Sequence, residues 1–581
     1  MSLLVIVVVS AVFVIVSYRV YGGLLARLLR LDREAKTPAV ELRDDVDYAP
    51  IEPKFLISQH FSAIAAAGPI VGPILAGVMF GWLPALLWIL VGCVFIGGVH
   101  DIGALVASIR HKARSIAEVV REHMTRRSYI LFLLFVWIAL VYIIVAFTDI
   151  TASSFVGAQT LENGQQVSGA GIATSSLLYL ALPILMGLLL RYAKMSLALA
   201  TVIFLPLVGV AIWVGPYFPF DLAGLLNMDN ATAHKVWDVL LLAYCFVASV
   251  VPMWLLLQPR GHLGGYFLLF ALVGGALGLV FGGKSVQYPA FIGWTSAKGE
   301  MLFPILFITI ACGACSGFHA IIASGTTSKQ LSRETDAKGI GYGSMLLEGM
   351  VAVVSLCCVM MLAANSPLLQ TTPLKPNFIY AQGIGSFLEV IKIPAAFGVS
   401  FGLMAFTTFV YDTLDVCTRL GRYIVQELTG WHDARGRWLA TALTVGAPLV
   451  FVMQKTPDNK PIWSVFWGLF GASNQLLAAL TLLGVTVWLW RTRRARWVWL
   501  VTGLPTVWMY VMSMWALLLF ARKGFFTPDW RPQWTANPVP WVALVLVGLA
   551  VLMLVEAIRV FVGSRPSPPL GVTGTAAPAA A

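Results

Sequence analysis

Charged residues are scarce in this chain. Asp, Glu, Lys and Arg make up 11% of the 581 residues, whereas hydrophobic residues make up 59%. Soluble domains carry about 25% charged residues, so a soluble fold would be left with far too much apolar surface and is excluded. The seven cysteines all fall inside apolar stretches, which excludes a disulfide framework in loops. The composition therefore predicts an all-α, polytopic integral membrane protein.

A signal peptide is also missing, because the first apolar run, 3–16, lacks a basic start and a small-residue cleavage site. The apolar residues come in runs of about 18 to 25, long enough to cross a bilayer as helices. Reading these runs against the charged breaks predicts about fifteen spans. They are 2–19, 58–80, 83–107, 129–148, 174–191, 196–216, 238–258, 263–282, 301–325, 341–363, 386–412, 438–453, 463–490, 497–520 and 540–562.

The positive charge is spread over short loops. Lys and Arg cluster after the first, third, ninth, eleventh and thirteenth spans, whereas 149–173 has none. Because basic loops stay in the cytoplasm, the amino terminus is predicted outside and the carboxyl terminus inside. The net charge of +12 therefore reflects topology and predicts no nucleic-acid partner.

The second span carries two Gly-Pro pairs, Gly68-Pro69 and Gly72-Pro73. Such residues remove amide donors and permit non-helical backbone, which transporters use at membrane depth to bind solute. A kinked helix that only packs against its neighbours is the alternative. A partner break is predicted in the seventh span, at Ser249 to Pro252.

The two predicted breaks lie five spans apart, so their helices run in opposite directions, as in inverted repeats. This spacing divides the chain into an amino-terminal span with a basic loop, a first five-helix repeat, a second five-helix repeat, a region of four spans and a disordered tail. The boundaries are 1–57, 58–216, 238–428, 438–562 and 563–581.

Three spans carry ionisable residues at similar depth: Asp101 beside His100, His319, and Glu348. An acid inside a span usually faces a cavity or a partner, so these residues are candidates for proton coupling. The alternative is that the acids are solvated at span ends or paired with loop arginines. For His319 alone, a hydrogen-bonded core histidine fits equally well. His60, at the start of the broken second span, is a candidate gate.

The ninth span, ACGACSGFHAIIASGTTSKQ, places Cys312, Cys315 and His319 on one helical stripe. Three ligand-type residues in an apolar helix do not predict a metal site, and no cofactor is expected. The hydroxyls of Ser324, Thr326 and Thr327 fit oxygen ligands for a cation or substrate, or else a small-residue packing face.

Other polar residues lie in later spans. Asp412 and Asp415 are predicted to form a surface ion-pair cluster with Arg419 and Arg422. The thirteenth span carries the adjacent amides of residues 474 and 475, which either bond across helices or line a pore. The candidate substrate-binding residues are Gly68, Pro69, Gly72, Pro73, Ser249, Pro252, Ser316, Asn474 and Gln475.

Long motifs between positions 55 and 490 resemble the carbon starvation protein A (CstA) family of bacterial inner-membrane transporters. They are HFSAIAAAGPIVGP, GGVHD, ASVVPMWLLLQPR, ACGACSGFH with SGTTSKQ, GYGSMLLEG, DTLDVCTRLGRYIVQEL and GASNQLLAAL. The resemblance implies proton-coupled import of peptides or pyruvate when carbon is scarce. It also implies a LeuT-like fold of the amino acid, polyamine and organocation transporters, with two inverted five-helix repeats.

The sequence therefore predicts a proton-coupled importer of small carboxylate-bearing nutrients that works by alternating access. Its partners would be the substrate, protons and the lipid bilayer, and its oligomeric state is left open. The rival is a polytopic membrane enzyme, such as an acyltransferase that uses an intramembrane His, Cys or Asp. A channel is a weaker rival, because no filter sequence or charged ring is present.

Overall fold

The computed structural model describes residues 2–44, 48–65, 67–160, 164, 166–371, 374–431, 433–454, 461–535 and 537–563. Over these residues the molecule is helical apart from one two-stranded hairpin, which confirms the all-α prediction. Twelve of the described helices are long and apolar enough to cross a membrane, and a bent pair raises the number to thirteen.

The first half of the chain contains thirteen helices and the hairpin in its described part. The helices are α1 (Leu3–Leu28), α2 (Pro38–Glu41), α3 (Pro53–Ile64), α4 (Gly68–Phe80), α5 (Trp82–Gly92), α6 (Gly98–Arg110), α7 (Ile116–His123), α8 (Arg126–Ser153), α9 (Gly169–Tyr192), α10 (Leu197–Val214), α11 (Leu222–Leu225), α12 (Asn230–Val250) and α13 (Leu257–Phe281). The antiparallel strands are β1 (Ala158–Thr160) and β2 (Gln166–Ser168).

The second half of the chain begins with three short helices, which we call the broken segment, and continues with the central helices. They are α14 (Leu302–Thr309), α15 (Ala311–Ala314), α16 (Gly317–Gly325), α17 (Ser344–Met360), α18 (Pro376–Val390), α19 (Ala395–Thr429), α20 (Ala434–Val452), α21 (Ile462–Arg493), α22 (Leu504–Phe525) and α23 (Pro538–Gly563). Helix α21 is enclosed by protein along its whole apolar stretch, whereas α1, α10 and α23 expose most of theirs.

The count of about fifteen spans is not confirmed. Residues 301–325 do not form one helix but three short ones, α14 to α16. Helix α20 opens with Arg435 and Arg437 and is not among the helices apolar enough to span. The region 386–412, predicted as one span, contains the end of α18 and the start of α19. The predicted tail lies outside the described residues apart from Gly563.

Loops that the sequence assigns to one membrane face meet in the structure. Arg110, after the third predicted span, donates to the carbonyl of Leu29 at 2.8 Å and to the Glu334 carboxylate at 2.7 Å. These three residues follow the third, first and ninth predicted spans. On the opposite face, the Leu3 amide donates to the Lys284 carbonyl at 3.0 Å. We call the face that carries Arg110 the basic face.

Candidate functional site

The second predicted span bends where the sequence places its first Gly-Pro pair. Helices α3 and α4 meet at 47°. Ala65 ends α3 with a non-helical ψ of 71°, and Pro69 lies in the first turn of α4, where its missing amide proton costs no hydrogen bond. A Cβ on Gly68 would overlap the Cys312 side chain, and one on Gly72 would overlap the Thr309 carbonyl. The glycines therefore let α4 approach the broken segment closely.

The second break lies in that segment and not in the seventh predicted span. The chain leaves helical geometry at Ile310 and again at Cys315 and Ser316, which are extended. Cys312 and His319 therefore lie on different helices, α15 and α16, so the predicted stripe of Cys312, Cys315 and His319 is wrong.

The segment 247–252 is the end of α12 and its connection to α13. Val251 is extended, and Pro252 cannot continue the helix. Arg419 donates to the carbonyls of Ala248 and Val251, at 2.7 Å each, and so caps the helix end. The predicted break inside this span is therefore wrong. Helix α12 packs against α19, and Arg419 of α19 holds the segment that contains Ser249 and Pro252.

Four ionisable side chains form a buried row across three helices. Asp101 on α6 accepts hydrogen bonds from the Nδ1 atoms of His100, at 2.7 Å, and His319, at 2.8 Å. The Nε2 of His319 lies 3.1 Å from a carboxylate oxygen of Glu348 on α17, although the two are not aligned as a hydrogen bond. The side chains are fully enclosed, with 0–1% exposure. We call these four residues the acid–histidine row.

The helices that carry the row are brought together by π-helical turns and glycines. A π-helical turn at Cys93–Gly97 precedes α6, and another at Lys338–Gly343 precedes α17. Such turns are rare in proteins, and many of those that occur lie at functional sites. The Tyr342 ring lies against Gly98, and the backbone of Ile102 lies against Gly341. Side chains at these glycines would separate α6 from α17.

The row also reaches the bend between α3 and α4, because the imidazole of His319 lies beside the Ile64 carbonyl, at the end of α3. Asp101, His319 and Glu348, which the sequence singles out from depth alone, are thus neighbours. The alternative pairing with loop arginines does not occur for Asp101, and Arg110 pairs with Glu334 instead.

His60 lies on α3 and contacts the end of the ninth predicted span. Its Nδ1 is 2.8 Å from the hydroxyl of Thr327, and both residues line a small cavity with Asp412. The hydroxyls of Ser324 and Thr326 donate to carbonyls of their own helix, at 2.7 and 3.0 Å. Only Thr327 of the three therefore bonds to another helix through its side chain.

Asn474 and Gln475 on α21 hold the broken segment in place. Asn474 lies 3.0 Å from the Ser316 hydroxyl, and its carbonyl oxygen accepts the amide of Phe318, at 3.1 Å. Gln475 donates to the Phe307 carbonyl at 2.6 Å. These amides bond across helices to the backbone groups and the side chain that the break leaves available. Of the two interpretations, bonding across helices or lining a pore, the structure therefore shows the first.

A second buried charge cluster was missed by the sequence reasoning. Arg260 on α13, fully enclosed, donates to Asp412 at 2.7 Å and contacts Asp415 and Tyr244. Asp412 also accepts a hydrogen bond from Ser62 on α3. The prediction of a surface cluster around Asp412 and Asp415 is therefore wrong. The signal was Arg260 itself, because an arginine inside an apolar helix needs a carboxylate partner.

Metal-ligating side chains converge at two places among the described residues. His111, Glu122 and His123 bring three ligand atoms within 4.8 Å of one another, and so do Asp149, His234 and Asp238. Neither group includes Cys312 or Cys315.

Comparison with known proteins shows extensive similarity to one family. The family model described as "Carbon starvation protein CstA" matches residues 2–375 and 368–516. The "Peptide transporter CstA" of Campylobacter jejuni is 32% identical, with 88% of this chain and 79% of that protein aligned. The "Pyruvate/proton symporter BtsT" of Escherichia coli is 31% identical over 90% of this chain and 83% of its own length. The Bacillus subtilis "Peptide transporter CstA" is 29% identical, over 96% and 97%.

Solved structures show a weaker likeness. A manganese transporter of Eremococcus coleocola aligns with 90% of this chain and 98% of its own, at 15% identity and a TM-score of 0.45. MhsT in complex with L-phenylalanine aligns with 88% and 98%, at 11% identity and a TM-score of 0.44.

Proposed function

The chain belongs to the carbon starvation protein CstA family, and from that premise we propose that it is a proton-coupled secondary transporter and not an enzyme. Its substrates are small carboxylate-bearing nutrients, peptides or pyruvate, imported during carbon starvation. The names of the relatives support transport of both substrate types, one of them with protons. The family membership supports the bacterial inner membrane as its location.

The acid–histidine row is the observation that carries proton coupling. An imidazole with a carboxylate on either side balances charge only in part, so adding or removing one proton changes the net buried charge. An uncompensated charge in a low-dielectric interior is costly. In the proton occupancy that leaves the smaller net charge, the row is stable in its enclosed form. In the occupancy with the larger net charge, the row favours opening to water.

Its position at the bend joins this charge change to helix movement. His319 lies on α16, directly after the second break, and beside the end of α3 at the first break. Broken helices supply hinges for alternating access. We propose that the row's proton occupancy shifts α3 and α16 relative to α6 and α17, exposing the site to one face and then the other.

The substrate is proposed to bind between the two breaks. The candidates are Gly68, Pro69, Gly72 and Pro73 on α4, with Ser316, Asn474 and Gln475 around the broken segment. Helix amino termini suit a carboxylate, a group that peptides and pyruvate share. The cavity beside His60 and Thr327 would be the path of release toward the basic face.

The finer architecture is part of the proposal. We propose a core of two inverted five-helix repeats, with an extracellular amino terminus and a cytoplasmic carboxyl terminus. The shared basic face of the loops after the first, third and ninth predicted spans supports this orientation. The break in α14–α16 replaces 247–252 as the break that faces the α3–α4 bend, but it lies seven predicted spans after that bend and so does not hold the matching position of the second repeat.

Uptake into proteoliposomes tests the function. Labelled pyruvate and a labelled dipeptide are supplied with and without an inward proton gradient. We expect at least one of them to accumulate only with the gradient. If neither substrate moves under any gradient while the reconstituted protein is folded, the transport proposal fails. Chemical conversion of a supplied substrate would instead favour the membrane enzyme.

A further inference from the structure

We propose that His111, His123 and Glu122 form a binding site for a divalent transition-metal ion of the Zn²⁺ class, at the basic face. The two imidazole Nε2 atoms point at each other across 2.8 Å. The Glu122 carboxylate lies with them inside the 4.8 Å limit given above. None of the three residues belongs to the proposed transport site, so this inference stands apart from the transport function.

The hydrogen bond of His111 fixes the imidazole tautomer that a metal ligand needs. Its Nδ1 lies 2.6 Å from the Ala107 carbonyl, which can only accept, so Nδ1 carries the proton. In the neutral ring Nε2 therefore presents a lone pair toward His123. Metal-ligating histidines almost always donate their other N–H to a carbonyl or carboxylate in this way.

The distances fit an ion after a small shift. A tetrahedral ion with bonds of about 2.0–2.1 Å holds two nitrogens about 3.4 Å apart, so the rings must separate by about half an ångström. The Glu122 side chain is exposed and free to adjust, and it leaves the remaining coordination position to water. Two imidazoles and one carboxylate suit Zn²⁺ better than the oxygen-seeking Mg²⁺ or Ca²⁺.

The surroundings hold the two rings from both sides. His111 follows the end of α6, and its ring packs edge-on against Trp488 of α21, with centroids 5.7 Å apart. His123 ends α7, and its carbonyl accepts from Arg491 of α21, at 2.8 Å. A bound ion would tie α7 to the end of α6.

The other converging group does not fit an ion as well. Between Asp149 and Asp238 lies the ammonium of Lys235, 3.5 and 3.3 Å from their oxygens, so a protein cation already balances these acids. Among the described residues no ammonium or guanidinium forms an ion pair with Glu122, the one acid of the His111 group, and this difference selects that group.

Isothermal titration calorimetry tests the site, with zinc titrated into the purified full chain in detergent. We expect one Zn²⁺ per chain in the wild type. In His111→Gln and His123→Gln the zinc affinity should fall about tenfold or more, because even the loss of a residue that only supports a ligand weakens metal binding by that much. His262→Gln is the control, because His262 is a buried histidine whose Nε2 bonds to Thr201 and which belongs to neither converging group. It should bind as the wild type does.

Two further measurements cover variants that fail to fold. Glu122→Gln alters only an exposed side chain, and we expect weaker binding there as well. Cobalt added to the wild type should give the visible absorption of a four-coordinate nitrogen and oxygen site. Equal zinc binding by the wild type and the folded histidine variants, or no cobalt signal, would overturn the proposal.

Discussion

Asp101→Asn tests the proposed proton coupling most directly. Asp101 gives one carboxylate oxygen to the His100 ring and the other to the His319 ring. An asparagine has the same shape but only one oxygen, so one imidazole N–H loses its acceptor. A hydrogen bond to a charged group contributes about 1.5–3 kcal/mol, so we expect a folded but less stable protein. The row also loses one of its two negative charges and with it the reason to take up a proton.

The size of the transport effect follows from the geometry. One imidazole ring lies between the two carboxylates, so we expect one proton to move with each substrate. A pH difference of one unit is worth about 1.4 kcal/mol per proton, which corresponds to about tenfold accumulation. The wild type should therefore concentrate substrate about tenfold, and Asp101→Asn should stop near equal concentrations while still exchanging labelled for unlabelled substrate.

The assay uses proteoliposomes with an imposed pH difference and a separate exchange experiment without one. Glu556→Gln is the control, because this acid pairs with Arg559 on α23, away from the row. It should accumulate substrate as the wild type does. Accumulation of about tenfold by Asp101→Asn would refute the reasoning, and loss of both accumulation and exchange in a folded variant would assign Asp101 to substrate passage.

Three further variants test the packing by thermal unfolding in detergent. Arg260→Gln strands two buried carboxylates and should lower stability by about 3–5 kcal/mol; an unchanged unfolding temperature would contradict the buried pairing. Gly68→Ala should lower stability by about 1–3 kcal/mol, and adding Cys312→Gly should restore part of it, because the new Cβ would overlap both the sulfur and the Cβ of Cys312. Asp229→Ala removes an N-cap whose carboxyl pKa is lowered by the Thr232 hydroxyl and by helix amides. Because the folded-state pKa is lowered, this stabilisation is complete above the unfolded value of about 4 and is lost as the pH falls from there through the folded-state pKa. The difference between the two proteins should therefore shrink below about pH 4, and a difference that grows there would refute the argument.

The sequence predicted the residues of the row better than their arrangement. An ionisable residue deep in an apolar helix needs a partner, so Asp101, His319 and Glu348 could each be selected locally. Their contact could not be predicted, because Asp101 is 218 residues from His319 and α6 reaches the other two helices through glycine contacts and π-helical turns. The proposed roles of these residues stay predictions until transport is measured.

The breaks show where local signals mislead. Gly-Pro pairs marked the bend before α4 correctly, but Pro252 marks the end of a helix just as well as a kink within one. The break at Cys315 and Ser316 lies in a run of small residues with no proline beside it. It depends on bonds from Asn474 on α21, more than 150 residues away. Asp412 was likewise assigned to arginines nearby in sequence, although its partner Arg260 is 152 residues away.

The enclosure of α21 bears on how the protein is made. This helix is synthesised after α8 and the broken segment, yet its Trp463 amide donates to the Asp149 carboxylate and its Gln475 bonds the Phe307 carbonyl. Until α21 arrives, the Phe307 carbonyl lacks this hydrogen bond in the bilayer, where unpaired polar groups are costly. A chain cut before residue 462 would leave the Phe307 carbonyl without its bond from Gln475 and Asp149 with only its Lys235 and His234 contacts. Helix α21 is thus a late-arriving part of the core and not an appendage to it.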